Sequence, residues 1–231
     1  MSTLSCFCGT ILCVVAVVAE GQDLRIKQRI TVDGELVSVT ETSIKGNRQR
    51  IETELPSGTP IVIKQCDLKR SVTLDDQNQT YSLAKSPQQD AGSNSSASIT
   101  ETIVVTDTGL TRRMFNLSAR RLQTKVTVES SKGACTQTHQ TYEVDGWYVD
   151  LPKEQAACGP MLPPIRIDEG CNDAVVHRIS GNGKLGFPLA EWITLHTGDA
   201  ATVVVVRPRS VHTEELDQAS FEIPPGYQEQ K

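Results

Sequence analysis

The sequence predicts a mainly β protein: an antiparallel meander that forms a curved sheet or an unclosed barrel, with little helix. Apolar and polar residues alternate with a period of two in many short segments. Turn-forming residues separate these segments about every 8 to 12 residues, and no window keeps a long helical period. Only 4% of the residues are aromatic, so the core must consist mainly of Val, Ile and Leu.

The first predicted strands show the clearest alternation of apolar and polar residues. Leu24, Ile26, Ile30 and Val32 alternate with polar residues, which predicts a strand with one face in water. Asp33 and Gly34 then form a dipeptide that favours a tight hairpin turn. The alternation predicts a return strand over residues 35–44 and a third strand over residues 48–55.

Residues 60–85 predict an extended segment, a polar turn at residues 75–78 and a returning strand. Residues 85–98 contain no apolar side chain larger than alanine, which predicts a flexible loop. Strands are predicted again over residues 100–107, 110–117, 120–128 and 137–144.

The last third of the chain begins with an irregular stretch. Residues 151–173 contain six Pro or Gly residues and two cysteines, which predicts a cysteine-bounded loop. Further strands are predicted over residues 174–179, 190–197 and 201–206. We therefore expect one β-rich domain over residues 20–231, a length that can bury a sizeable core.

The N-terminal segment differs from the rest of the chain. Residues 4–19 are apolar and uncharged, and they end in Val17, Val18 and Ala19, small residues of the kind read by a signal peptidase. This pattern predicts a signal peptide over residues 1–19 and a periplasmic or secreted protein. A retained membrane anchor is the alternative, although the run is shorter than the roughly 20 residues of a spanning helix.

Removal of a signal peptide would leave four of the seven cysteines: Cys66, Cys135, Cys158 and Cys171. In an oxidising compartment, an even number favours two disulfides, and three pairings are possible. The pairing we expect is Cys158 with Cys171, closing the Pro-rich loop, and Cys66 with Cys135, joining distant strands. A zinc site would require more closely spaced cysteines.

Composition and motifs exclude several function classes. A net charge of -5 argues against a nucleic-acid surface, because phosphate binding needs clustered Lys and Arg. The chain has no G-x-S-x-G elbow and no cysteine nucleophile motif, so no catalytic residue, enzyme activity or cofactor is expected. Residues 181–186 spell G-x-G-x-x-G, but Phe187 and Pro188 follow where a dinucleotide site needs a helix, so we predict a turn.

The four histidines are also predicted to be non-functional. None lies two or four residues from another, so no local pair could bind a metal ion, and we expect exposed histidines on strands. They are His139, His177, His196 and His212.

Four stretches carry a resemblance to known proteins: IKQCDLKRSVTLDDQNQTYSLAK, DTGLTRRMFNLSARRLQTKVTVES, YEVDGWYVDLP and FEIPPGY. They resemble a group of exported bacterial proteins of unassigned function, which is similar in turn to the LolA/LolB-like lipoprotein carriers. The resemblance covers most of residues 23–227 and implies an unclosed antiparallel barrel around an apolar cavity. The basic residue with which the carriers handle cargo matches no position of this chain, so no functional residue is transferred.

These observations predict a non-enzymatic exported protein that binds an apolar or lipidated ligand in the hollow of a curved sheet. The expected ligand is a lipid or a lipoprotein, with peripheral association at the cell envelope. The alternative is a structural or protein-interaction module of the envelope with a side-chain-filled core. Five aromatic residues on predicted strands are the candidates for the cavity wall: Tyr81, Phe115, Trp147, Tyr148 and Trp192.

Overall fold

A computed structural model of the chain describes residues 23–85, 97–159, 168, 170–171, 173–197 and 200–230. The predicted signal peptide lies outside these residues, as do most of the predicted loop 85–98 and the middle of the predicted loop 151–173. Across the described ranges, no helix has both the length and the apolar character needed to cross a membrane.

The described residues form one sheet of 13 strands. The strands are β1 Leu24–Val32, β2 Glu35–Lys45, β3 Arg48–Glu54, β4 Ile61–Gln65, β5 Arg70–Asp75, β6 Thr80–Lys85, β7 Ser98–Met114, β8 Leu117–Ser130, β9 His139–Val149, β10 Ala174–Gly181, β11 Phe187–Thr197, β12 Ala200–Thr213 and β13 Gln228–Glu229. Two short 3₁₀ turns, Gln155–Cys158 and Gln218–Phe221, are the helical elements in the described part of the chain. The predicted mainly β fold with an open, mostly antiparallel sheet is confirmed.

The strand order shows how distant parts of the chain meet. It runs β10-β7-β8-β9-β11-β12-β1-β2-β3-β4-β5-β6-β13. Strands β1 to β6 are neighbours in chain order and form a meander. Strand β12 pairs antiparallel with β1, so that Leu24 lies opposite Thr213. The two outermost pairs, β10 with β7 and β13 with β6, are parallel. The two outermost strands are not paired with each other, so the sheet is not closed.

The sheet is strongly curved. Ile51 on β3 and Ile103 on β7 line the same cavity, although six strands separate β3 from β7 in the sheet order. Side chains alternate between the two faces of a strand, so one set of alternate residues points into the concavity. We call this concave surface the inner face and the opposite surface the outer face.

Ile, Val and Leu side chains form most of the core, which consists of three clusters. One cluster covers β7, β8 and β9 and includes Ile99, Ile103 and Leu122, each fully buried. A second cluster covers β1, β2 and the far ends of β8, β9 and β11, with Ile26 and Ile44 at its centre. The composition predicted this aliphatic core.

A third cluster is covered by the C-terminal segment, residues 214–230. Phe221, with no exposed surface, packs against Ile63 and Val72 of β4 and β5. The Gln65 side-chain amide donates to the Phe221 carbonyl oxygen at 2.9 Å. Arg48 of β3 forms ion pairs with Glu222 and, at 2.9 Å, with Asp67. Ile63 lies opposite Arg50 on β3 and not opposite the cavity residue Ile51, so the C-terminal segment covers this part of the outer face.

The extended segment predicted after residue 60 is interrupted. Residues 66–69 form a turn between β4 and β5, and Lys69 has a positive φ of 50°. The turn predicted near residues 75–78 is present, where Asp75 Oδ1 accepts backbone N–H groups from Gln77 and Asn78, both at 3.1 Å. Short polar side chains that accept such bonds stabilise turns.

Two disulfides are present, as predicted, but the predicted pairing is wrong. The bonds are Cys66–Cys158 and Cys135–Cys171. Cys158 ends the first 3₁₀ turn beside β3, where its Sγ lies 3.8 Å from the Asn47 carbonyl oxygen that also accepts the Cys66 N–H. Cys135 follows β8 and Cys171 precedes β10, on the other side of the sheet. Sheet topology thus separates Cys158 from Cys171.

Candidate functional site

The inner face contains a cavity of about 320 Å³. Eight strands contribute to its wall, from β7 through β8, β9, β11, β12, β1 and β2 to β3. Its apolar lining comes mainly from Ile30, Ile51, Ile103, Val126, Val144 and Ile193. A volume of this size lies at the lower end of the range found for small-molecule pockets, which are typically about 300–1,000 Å³ and mostly apolar.

The segment between β10 and β11 borders the cavity. It is the stretch that spells G-x-G-x-x-G, and it forms a bend and an irregular link to β11, so a strand follows it where a dinucleotide site needs a helix. Leu185 and Gly186 line the cavity. Gly183 passes so close to the inner-face side chain of Val105 that a Cβ there would lie 2.7 Å from its Cγ1. Glycine is therefore needed for this close crossing.

One carboxyl group belongs to the cavity wall. Glu191 of β11 lies opposite Gly146 of β9, and the Tyr148 hydroxyl donates to Glu191 Oε1 at 2.6 Å. A Cβ on Gly146 would lie 2.7 Å from the Tyr148 ring and 3.0 Å from the Ala190 carbonyl oxygen. The absence of a side chain at position 146 therefore leaves room for the Tyr148 ring in the position from which its hydroxyl reaches Glu191.

Burial changes the pKa values of both Glu191 and Tyr148. Burial raises the pKa of the Glu191 carboxyl above its ordinary value of 4.5, and the hydrogen bond from Tyr148 opposes this shift only in part. Burial, together with the neighbouring carboxylate, also raises the pKa of Tyr148. No Lys, Arg or His in the described part of the chain forms an ion pair with Glu191.

Uncharged polar side chains also line the cavity: Gln28, Thr40, Thr53 and Thr124, besides Tyr142 and Tyr148. The Gln28 amide donates to the carbonyl oxygens of Pro188 and Leu189, at 2.9 and 3.1 Å, which fixes the side chain in place. Thr124 is only 7% exposed, and its Oγ1 has no hydrogen-bond partner among the described residues. A buried hydroxyl without a partner is unfavourable, by about 1–3 kcal/mol.

A second polar cluster lies beside the cavity. Glu101 of β7 has no exposed surface, and it accepts a hydrogen bond from the Tyr142 hydroxyl at 3.2 Å. Its other oxygen lies 2.7 Å from Nδ1 of His177 on β10. The expectation that the histidines would be exposed therefore fails at His177, because the parallel pairing of β10 with β7 places this residue opposite Glu101.

Of the five aromatic candidates, the structure places one, Tyr148, in the cavity wall. Tyr81 packs against the third cluster, under the C-terminal segment. Phe115 lies in the β7–β8 turn and is 44% exposed. Trp147 packs against the second cluster, with the Arg112 guanidinium 4.1 Å from its ring centroid. Trp192 lies on the outer face.

Trp192 borders a groove of about 550 Å³ on the outer face, together with Val104, Lys125 and Glu143. Its neighbours in sequence, Glu191 and Ile193, both line the inner cavity. Because side chains alternate along β11, Trp192, which the sequence predicted as a cavity residue, lies outside the cavity. Glu191, which the sequence did not predict as a cavity residue, lines it. Glu191 carried one sequence signal: it is the charged residue in the otherwise mostly apolar run PLAEWITL.

One group of potential metal ligands occurs in the described residues: Cys135, Cys171 and Asp173. The two cysteines are joined by a disulfide. The two Asp173 carboxylate oxygens accept the backbone N–H groups of Cys135 at 2.9 Å and Thr136 at 2.7 Å. These contacts make the group the anchor of a disulfide-linked loop rather than an open coordination site.

No protein-family model matches the chain, and no curated protein matches it. The solved structure described as "Structure of PNGF-II in C2 space group" is similar, with a TM-score of 0.48 and 13% sequence identity. The match covers 90% of this chain and 31% of that chain, so this chain spans about a third of its length. The resemblance to the lipoprotein carriers stays a prediction.

Proposed function

We propose that the protein is a non-enzymatic exported protein that binds a small, mainly apolar ligand in the cavity of its inner face. The observation that carries the proposal is an aliphatic cavity of about 320 Å³ within a curved sheet that has enough core to fold around it. Ile, Val and Thr side chains form most of the wall, and a few polar groups could orient a ligand.

The location follows from the disulfides. Disulfides form and persist in oxidising environments, so the two present here indicate a non-cytoplasmic protein. We infer that the compartment is the periplasm, in keeping with the apolar N-terminal sequence. Binding would be reversible, since each buried CH₂ group contributes only about 0.8 kcal/mol.

Native mass spectrometry of protein purified from its own source, together with a titration of 1-octanol, tests this proposal. A bound small molecule, or saturable octanol binding, is the expected result. A protein that is always ligand-free and takes up neither octanol nor an uncharged fluorescent apolar probe would overturn it. That outcome would favour the alternative, an interaction module of the envelope.

A matched pair of variants locates the binding. Thr53 lines the cavity from β3, whereas Thr73 on β5 is exposed and lies outside the cavity wall. Thr53→Trp should therefore fill part of the cavity and weaken octanol binding at least tenfold. Thr73→Trp should leave it within about twofold of wild type. Equal effects of the two substitutions would contradict binding in the inner cavity.

A further inference from the structure

Glu191 is the one charged side chain among the described residues that line the cavity. A carboxylate removed from water is strongly disfavoured unless a positive charge or several hydrogen bonds compensate it. Tyr148 supplies one hydrogen bond to Oε1. The described residues supply no positive partner, so the ionised form of Glu191 is only partly compensated by the protein.

Two other side chains of the wall leave hydrogen-bonding capacity open: Gln28 has an acceptor, and Thr124 has a hydroxyl that can accept or donate. Gln28 uses its amide N–H groups on two backbone carbonyls, and its own carbonyl oxygen can only accept. Thr124 Oγ1 is buried and without a partner in the described residues. A ligand suited to this wall therefore carries hydrogen-bond donors and, opposite Glu191, a positive charge.

The volume limits the rest of the ligand. About 320 Å³ holds on the order of ten non-hydrogen atoms, at roughly 30 Å³ for an atom with the liquid volume of a water molecule. The surrounding Ile and Val side chains favour an apolar body. An anionic head group would lie beside the like charge of Glu191, which disfavours a carboxylate ligand such as a fatty acid.

We propose that the cavity binds an amphiphilic amine, with an apolar body of about ten non-hydrogen atoms and an ammonium group that pairs with Glu191. This inference rests on the proposed function, since it specifies the ligand class of the same cavity. The ammonium supplies the missing positive charge, and it donates to acceptors that the protein leaves open. Charge-assisted hydrogen bonds of this kind are roughly twice as strong as neutral ones.

The competing interpretation is that Glu191 is protonated and hydrogen-bonded to Tyr148, so that the cavity has no preference for an amine. Three probes of equal chain length separate the two interpretations: octylamine, 1-octanol and octanoate, each titrated at pH 7 by calorimetry. We expect octylamine to bind at least about tenfold more tightly than octanol, and octanoate to bind more weakly than octanol. This comparison uses the wild-type protein, so it does not depend on how any variant folds.

Glu191→Gln removes the charge and keeps the shape. The amine should then lose its advantage over the alcohol, to about twofold or less, while octanol binding stays within about twofold of wild type. The control is Glu143→Gln, because Glu143 is an exposed carboxylate on the outer face of β9. This control should keep the tenfold preference for the amine.

Two classes of amine ligand, aromatic and lipid-like, differ in their apolar body. Phenethylamine has the same head group on an aromatic body, so its affinity relative to octylamine distinguishes an aromatic amine from a lipid-like one. Octanol binding without any preference for the amines, or a preference that survives Glu191→Gln, would overturn this inference and leave the proposed function standing. Failure of all these probes to bind would overturn both.

Discussion

Two regions on opposite faces of the sheet present similar side chains but are covered differently. Over β4 and β5, the Ile and Val side chains are covered by Phe221 and Leu216 of the C-terminal segment. Over β7 to β11, similar side chains surround a cavity of about 320 Å³. We call these the filled region and the cavity region. The chain covers the filled region with its own side chains and leaves space in the cavity region.

Charged groups differ between the two regions in the same way. Arg48, at the filled region, pairs with both Asp67 and Glu222. Glu191, in the cavity region, has a tyrosine hydroxyl as its partner and no cation in the described residues. Charges that serve only stability are normally compensated within the protein. The difference supports the proposal that the cavity region binds a ligand.

The largest predicted effect concerns the two disulfides, one at each region. Removing Cys66–Cys158 by double Cys→Ala substitution releases a loop with a sequence separation of 92, and removing Cys135–Cys171 releases one of 36. By chain entropy, the first loss should cost about 4.6 kcal/mol of unfolding free energy and the second about 0.8 kcal/mol less. Urea unfolding of both variants checks this order. A larger loss for Cys135–Cys171 would contradict it.

The next effect compares two isoleucines. Ile63 has no exposed surface in the filled region, whereas Ile51 is partly exposed and borders the cavity. Ile63→Ala leaves a void in a packed cluster and should lower the unfolding free energy by about 3–4 kcal/mol. Ile51→Ala only enlarges existing space and should cost less than about 2 kcal/mol, by the same urea assay. Equal losses would mean that the cavity is packed as tightly as the filled region.

The smallest predicted effect is the pH dependence of the unfolding free energy, which has opposite signs in the two regions. The folded-state pKa of Glu191 is raised above 4.5, so its favourable contribution is complete below 4.5 and is lost as the pH rises through the folded pKa. Glu191→Gln should therefore gain stability relative to wild type as the pH rises. The titratable groups near Glu191 are Tyr148 and Tyr142, and burial raises the pKa of both, so they stay uncharged in this range.

Asp67 provides the contrasting case. The hydrogen bond from Arg48 lowers the pKa of Asp67 below its ordinary value of 3.8, so its contribution is present above 3.8 and is lost as the pH falls through the folded pKa. Asp67→Asn should therefore be less stable than wild type at neutral pH, with the gap closing in acid. Chemical unfolding from pH 3 to pH 8 measures both trends. Trends of the same sign for the two variants would contradict this assignment.

The sequence was sufficient for most strands, because period-two alternation is a local signal. The alternation of Leu24, Ile26, Ile30 and Val32 predicted β1, and Asp33 with Gly34 predicted the turn that follows it. Alternation shows which residues share a face but not which strand lies beside which. The pairing of β12 with β1 and the parallel pairing of β10 with β7 join residues far apart in the chain. The disulfide pairing depends on this order and was therefore wrong.

The candidate site was harder to predict for the same reason. Glu191, Trp192 and Ile193 are consecutive, and alternation alone does not show which of them points into the concavity. Aromatic residues were natural candidates because they are large and apolar. Large side chains fill space, however, whereas smaller Ile, Val and Thr side chains enclose it, and these form most of the wall. The Tyr148–Glu191 contact also requires Gly146, whose role depends on the register of β9 with β11.

The central claim is that the cavity region binds a ligand and the filled region does not. Isoleucine-methyl NMR tests it directly, because Ile30, Ile51, Ile103 and Ile193 line the cavity, whereas Ile61 and Ile63 lie in the filled region. Titration with octylamine should shift the four cavity methyl signals with one common saturation curve and leave those of Ile61 and Ile63 unchanged. Unchanged cavity signals at saturating amine, or equal shifts in both regions, would contradict the account.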